Sequence, residues 1–163
     1  MKFKVVKKMI EYFHTDVKRI NHALKVFDFA QVISDDEFID NETREVIIYA
    51  AILHDIGIKE AENKYDSSIG KYQEIEGPLI AREILLDLGI SEEIINRACL
   101  IIGNHHSYGM INGIDFQIVV EADFLVNIFE DNMGKEVIEK INANIFKTET
   151  GKKLIRTMYL DKN

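Results

Sequence analysis

The chain is predicted to be all-α, a compact helical bundle of about seven helices, and three features carry that expectation. Apolar residues recur at three- and four-residue spacing along most of the length, and strand-type alternation is nearly absent. With one proline and nine glycines, no Gly/Ser-rich or Pro-rich stretch divides the chain.

Met1 to Phe13 is lysine-rich and sets Phe3, Val6, Met9, Ile10 and Phe13 at helical spacing, a short amphipathic helix. Thr15 or Asp16 is a suitable N-cap for the next helix, which aligns Val17, Ile20, Leu24 and Phe27 on one face. His22, Val26, Phe29 and Ile33 form a second stripe, so this helix is buried on two sides and His22 belongs to a buried row. Arg44 to Ile56 is apolar on every face, as a central helix wrapped by others must be, and Gly57 is expected to stop it as a left-handed C-cap.

From Ile58 to Ile75 the pattern lapses into Lys, Glu, Asn, Asp, Ser and Gly, which predicts a long exposed loop. Pro78 suits the first turn of a helix after Gly77, with Leu79, Ile80, Ile84, Leu85 and Leu88 on its apolar side and Gly89 at its end. Ser91 caps the next helix, with Glu92 and Glu93 at its positive end, and the helix runs to about Asn104. A turn at Gly109 to Gly113 leads to Asp115, a plausible cap for a helix through Glu130. Two amphipathic segments, Lys135 to Phe146 and Lys152 to Tyr159, close the chain. Ile114 to Val120 alone would pass for a buried strand. The expectation is one domain over residues 1–163, with a core at 15–131 and C-terminal helices at 132–163 packing on it.

A net charge of −8, with Lys and Arg scattered, argues against a binder of polymeric nucleic acid, which needs a basic footprint. A small phosphorylated substrate stays within reach, because a bound metal reverses the local field of an acidic protein. The lone Cys99 cannot form an internal disulfide and reads as inert packing in a reducing compartment. The first residues lack a continuous apolar core followed by a cleavage site, and the strongest apolar run, Val46 to Leu53, is too short to span a membrane. A soluble, cytoplasmic protein is expected.

His54 and Asp55 end the most hydrophobic helix. A lone histidine there would be a hydrogen-bonded core residue, but two neighbouring buried polar side chains need several partners or one cation. Asp123 is surrounded by Val119, Val120, Ala122, Phe124, Leu125 and Val126, where the alternatives are a ligand role, an internal salt bridge or a cap for a neighbouring helix. Glu121 and Asn127 are placed on other faces of that helix and assigned to solvent or structure. His105 and His106 follow a helix end, where a doublet either bonds the last carbonyls or ligates. His14 reads as surface, and Arg82 and Arg97 as lying outside any site.

The order His22, His54-Asp55, Asp123 resembles the HD-domain superfamily of metal-dependent phosphohydrolases. "AAILHDIG" from Ala50 to Gly57 is similar to the characteristic form of the motif. "EGPLIAREIL" from Glu76, "IIGNHHS" from Ile101 and "VEADFLVN" from Val120 also resemble stretches of small bacterial members. The resemblance implies that His22, His54, Asp55 and Asp123 bind one divalent metal with Asp55 at the centre, leaving open positions for water and a phosphate oxygen. It implies a second metal through His105 and His106, with Glu76 standing where another histidine is often found and ligating in its place.

The implied reaction is hydrolysis of a nucleotide or other small phosphate ester by hydroxide from a bound water, whose pKa falls from about 15.7 toward roughly 7. Asp55 or Asp123 would orient that water, and His105 or His106 would contact the phosphate or protonate the leaving oxygen. Lys59 and Lys71 are candidates to neutralise phosphate charge, against the reading of solvated lysines. Tyr72, Gln73 and Tyr108 are specificity candidates if the loop folds over the pocket. Mixed imidazole and carboxylate ligation suits Fe, Mn, Zn, Ni or Co, with Mg accommodated by extra waters, at one or two ions per chain. Two other readings use the same scaffold: a di-iron oxygenase, and a non-catalytic module binding a nucleotide or a partner. Monomer and homodimer are both open.

Overall fold

The computed structural model describes residues 1–161, which form nine α-helices: α1 (Lys2–Phe13), α2 (Val17–Asp36), α3 (Asn41–Leu53), α4 (Ile58–Tyr65), α5 (Gly70–Asp87), α6 (Glu92–Ile102), α7 (Ile114–Glu130), α8 (Lys135–Asn144) and α9 (Glu149–Ile155). A 3-10 turn at Tyr108–Met110 and a π turn at Arg156–Leu160 complete them, and no strand occurs among the described residues. No helix among them is long and apolar enough to cross a membrane.

The caps explain several of the boundaries. Asp16 accepts from the Arg19 N–H at 3.1 Å and opens α2, while Asp40 does the same for α3 through Thr43 at 3.0 Å. Ser91 precedes α6, but its side chain makes no capping bond, so the charges of Glu92 and Glu93 favour that end instead. Asp115 is not the cap of α7. It lies in the first turn, buried, where Arg97 grips both of its oxygens at 2.6 Å.

One of the helices beyond the expected seven is α4, because Ile58 to Ile75 is not a loop. Its polar residues make α4, anchored by buried Ile58 and Ala61, and the first turns of α5. Helix α5 begins at Gly70 and carries Pro78 in its interior rather than at its start. Those weak turns are held by tertiary contacts: Glu74 accepts from the His106 N–H at 3.0 Å, and Tyr72 stacks on Tyr65 with ring centres 4.1 Å apart. Context here overrides propensity.

Gly57 is likewise not a left-handed stop: its φ is −75° and it leads into α4. Glycine is needed there because the chain crosses α5 backbone to backbone. A Cβ on Gly57 would lie 2.5 Å from the Gln73 carbonyl oxygen and 2.6 Å from the Gly77 nitrogen. Gly89, by contrast, does take a left-handed conformation at φ 71°.

Helix α3 is the centre of the bundle, with every residue from Val46 to Leu53 buried and α1, α2, α6 and α7 around it. Each large apolar side chain withdrawn there contributes roughly 1.5–3 kcal/mol of transfer free energy. Helix α7 is nearly as enclosed. Its Glu121 is fully buried and accepts from Gln117 Nε2 (2.7 Å) and from the Lys147 and Thr148 N–H groups (2.6 and 3.0 Å), tying the α8–α9 connection to the core. The wrapping of α3 and α7 by α2 sets the ends and faces that carry the polar residues side by side.

Candidate metal centre

Four segments deliver the polar groups. His22 comes from the middle of α2, His54 and Asp55 from the turn after α3, His105 and His106 from the turn after α6, and Asp123 from the middle of α7. Helix ends are well suited to this task, because the last carbonyls are free to orient a ring. His54 Nδ1 lies 2.8 Å from the Ala51 carbonyl and His105 Nδ1 lies 2.8 Å from that of Ile102. A carbonyl only accepts, so each Nδ1 carries the proton and each Nε2 presents a lone pair.

His22 Nδ1 is 2.9 Å from Glu130 Oε2, which likewise fixes the proton on Nδ1. The His22 and His54 Nε2 atoms then face each other at 3.1 Å. Asp123 Oδ1 is 3.1 Å from the first and 3.6 Å from the second, and Asp55 Oδ2 is 3.6 and 3.5 Å from them. Donors about 2.1 Å from one ion are about 3.0 Å apart at right angles and about 3.4 Å apart in a tetrahedron, so the observed separations suit a single divalent cation.

Two further observations make the same point. His105 Nε2 is buried with no hydrogen-bond partner while lying 3.4 Å from Asp55 Oδ1, an orphaned donor atom of the kind a cation would satisfy. Asp55, His105 and His106 form a second group able to hold an ion beside that of His22, His54 and Asp123, so Asp55 turns one oxygen toward each. Without a cation, the cluster is balanced by protons. Burial opposes charging His22, but the hydrogen bond and charge of Asp123, with help from Asp55 and Glu130, raise its pKa to about 9. Burial alone would raise Asp123, yet bonds from His22 and His54 hold it far below the usual carboxylate range. His106 goes the other way: burial and the neighbouring His105 lower it to about 4.

The cluster opens on one side into a cleft of about 340 Å³, lined by His22, Asp55, Lys18, Arg19, Gln73 and Glu130 among others. Of the residues expected to meet substrate, Gln73 lies here, bonded to His106 Nε2 at 3.2 Å. Lys59 does not. Its ammonium bonds the Tyr12 carbonyl at 3.0 Å and covers the Tyr12 ring. Lys71 is exposed away from the cleft lining, Tyr72 is taken up by Tyr65, and Tyr108 leans on Phe124. Glu76 stands apart from both donor groups, because Lys64 (2.7 Å) and Tyr65 (2.8 Å) occupy its oxygens.

Sequence reasoning overlooked Lys18, Arg19, Ser68 and Glu130, which line the cleft, and misplaced Asn127, which bonds Asp123 at 2.9 Å. Helical spacing held the clue: Lys18 precedes His22 by one turn, and Asp123, Asn127 and Glu130 follow the i, i+4, i+7 rule of a shared face. Arg82 and Arg97 lie outside the cleft lining, each paired with a carboxylate.

Comparison with known proteins agrees with this architecture. No curated protein matches the chain. Among solved structures, a predicted HD superfamily hydrolase from an uncultured Thermotogales bacterium superposes with a TM-score of 0.68 at 24% identity, over 95% of this chain and 83% of that one, and so shares the fold. The HD domain family model matches residues 19–143, which takes in all six His and Asp residues of the cluster. On that match, the chain belongs to the HD-domain family.

Proposed function

We propose that this protein is a metal-dependent phosphohydrolase acting on a nucleotide or another small phosphate ester. The observation that carries the reading is the opening of a His/Asp donor cluster directly into a small cleft with Lys18 and Arg19 on its wall. A volume of about 340 Å³ sits near the lower end of the roughly 300–1,000 Å³ usual for small-molecule sites, which favours a compact ester over a polymer. A reducing, cytoplasmic setting suits the single buried Cys99.

His22, His54, Asp55 and Asp123 would hold one divalent cation, and Asp55, His105 and His106 a second. The chemistry such a cation supplies is Lewis acidity, which lowers the pKa of water and offsets phosphate charge. Lys18, exposed on the rim one turn from His22, meets the phosphate of an incoming substrate. Arg19 is pinned between Asp16 (2.8 Å) and Glu62 (2.6 Å), so it shapes the wall and adds positive potential from a fixed position. Gln73 holds His106 by Nε2, and the neutral ring keeps an acceptor at Nδ1 near neutral pH. Asp55 and Asp123, whose neighbouring histidines hold them well below the usual carboxylate range, would accept a hydrogen bond from the water and orient it.

The test is phosphate release from nucleoside mono-, di- and cyclic phosphates and sugar phosphates, with Mn, Fe, Zn, Ni, Co or Mg. Turnover of at least one, lost together with bound metal in Asp55→Ala, is expected. Metal-loaded protein that releases no phosphate from the whole panel overturns the proposal. The two donor groups meeting at Asp55 also favour a di-iron oxygenase; oxygen consumption by reduced, iron-loaded protein without phosphate release would move the conclusion there. Nucleotide binding without turnover, retained in Asp55→Ala, would mark a binding module.

A further inference from the structure

We infer that Glu130 is a positioning residue that tunes the affinity of the centre for its cation by holding His22 in the tautomer with Nε2 free. This rests on the reading of the cluster as a metal centre, though not on the reaction assigned to it. Three of the four histidines of the cluster present Nε2, and they obtain that tautomer in two ways, whereas His106 is bonded through Nε2 to Gln73. His54 and His105 stand at helix ends and use the carbonyl three residues back, which no helical bond consumes. His22 sits in the interior of α2, and its Nδ1 is not bonded to a carbonyl of its own helix. Its Nδ1 partner comes instead from α7, which supplies Glu130 Oε2 at 2.9 Å.

Glu130 is itself held. Its other oxygen pairs with Lys25, which lies three residues beyond His22 on α2, so α2 holds both oxygens of the carboxylate across the α2–α7 contact. Its side chain is only 17% exposed, and it belongs to neither donor group. A carboxylate behind an imidazole does more than fix its orientation: it raises the basicity of the distal nitrogen and so strengthens its bond to a cation, an effect a neutral backbone carbonyl supplies less strongly. His22 is the one ligand candidate of the cluster with an anionic partner on Nδ1. Glu130 is thus a position at which a single substitution reaches His22 without removing a ligand.

The experiment is competitive titration of the full-length, metal-free protein with Zn(II) and with Co(II), reading both the dissociation constant and the Co(II) visible spectrum. Glu130→Ala weakens binding by about 10- to 100-fold and shifts the spectrum. Glu130→Gln, which keeps an acceptor for Nδ1–H, loses less than about tenfold. Far-UV circular dichroism and melting of the metal-free proteins separate this from misfolding. Binding by Glu130→Ala within twofold of the parent overturns the inference, as does an equal loss in the Ala and Gln variants accompanied by a lowered melting temperature. A parent protein that binds no metal also overturns it, whereas one that binds metal but hydrolyses nothing leaves it standing and removes only the proposed reaction.

Discussion

Replacing Gly57 by alanine should damage both stability and the centre, because the side chain has no space rather than because the backbone forbids it. At φ −75° an alanine is unstrained. Its Cβ, however, would sit 2.5 Å from the Gln73 oxygen, 2.6 Å from the Gly77 nitrogen and 2.9 Å from the Gly77 Cα, all backbone atoms that no rotamer change can remove. To restore van der Waals contact the chain near α5 must retreat by about 1 Å, an overpacking that costs about 1–3 kcal/mol. For a chain of this length that is roughly a 3–10 °C fall in melting temperature. The retreat also moves Gln73, which holds His106, relative to Asp55, two residues before the substitution. Misplacement of this size costs on the order of 10²-fold in turnover.

The assay pairs thermal melting with metal titration for Gly57→Ala and Gly57→Asn. A clash makes asparagine at least as harmful as alanine, since both carry the offending Cβ. If Gly57 instead served a left-handed stop, asparagine would be markedly better tolerated than alanine. Gly89 is the internal control: at φ 71° with nothing within 4 Å of its Cβ position, Gly89→Ala costs about 1 kcal/mol and Gly89→Asn less. A Gly57→Ala protein that melts within about 1 °C of the parent and binds metal equally well would refute the reasoning.

Other outcomes follow from the same geometry. Glu121→Ala leaves the buried Thr148 N–H without its acceptor, a loss of about 1–3 kcal/mol in urea denaturation, with α8 and α9 exchanging amide hydrogens faster than the rest. Metal binding strengthens as pH rises from 6 toward about 9, because below its raised pKa His22 must release a proton to bind, and calorimetry in buffers of different ionisation enthalpy should count that proton. The same group stabilises the metal-free fold fully below about 6.5 and loses that contribution as pH rises through about 9, so the melting temperature gained on adding metal widens across this window. Lys18→Met raises KM about tenfold for a phosphate ester while metal content stays unchanged. Lys59→Ala leaves kcat and KM within about twofold, because its ammonium faces Tyr12.

Burial pattern and local order were plain in the amino-acid sequence. The all-helical class, the buried row containing His22, the wholly apolar α3 and the cap at Asp16 follow from periodicity and short-range hydrogen bonding, which act over one or two turns. The resemblance rested on the same rows, with His54-Asp55 and Asp123 conspicuous as polar groups inside apolar helices. Where apolar periodicity failed, reading failed with it: α4 and the start of α5 are largely polar, and they are held as helices by the Tyr65–Tyr72 stack between them and by contacts with Gly57 and His106.

Pairings across helices were decided only in three dimensions. Glu76 carries the same chemistry wherever it stands, yet Lys64 and Tyr65 claim it, while Lys59 is drawn to Tyr12 and Glu130 to His22. A single sequence shows that a carboxylate must find a partner, because an unpaired one is costly to bury. Which partner it finds depends on directions and distances of a few ångströms between segments as much as a hundred residues apart, and those exist only once the bundle has packed.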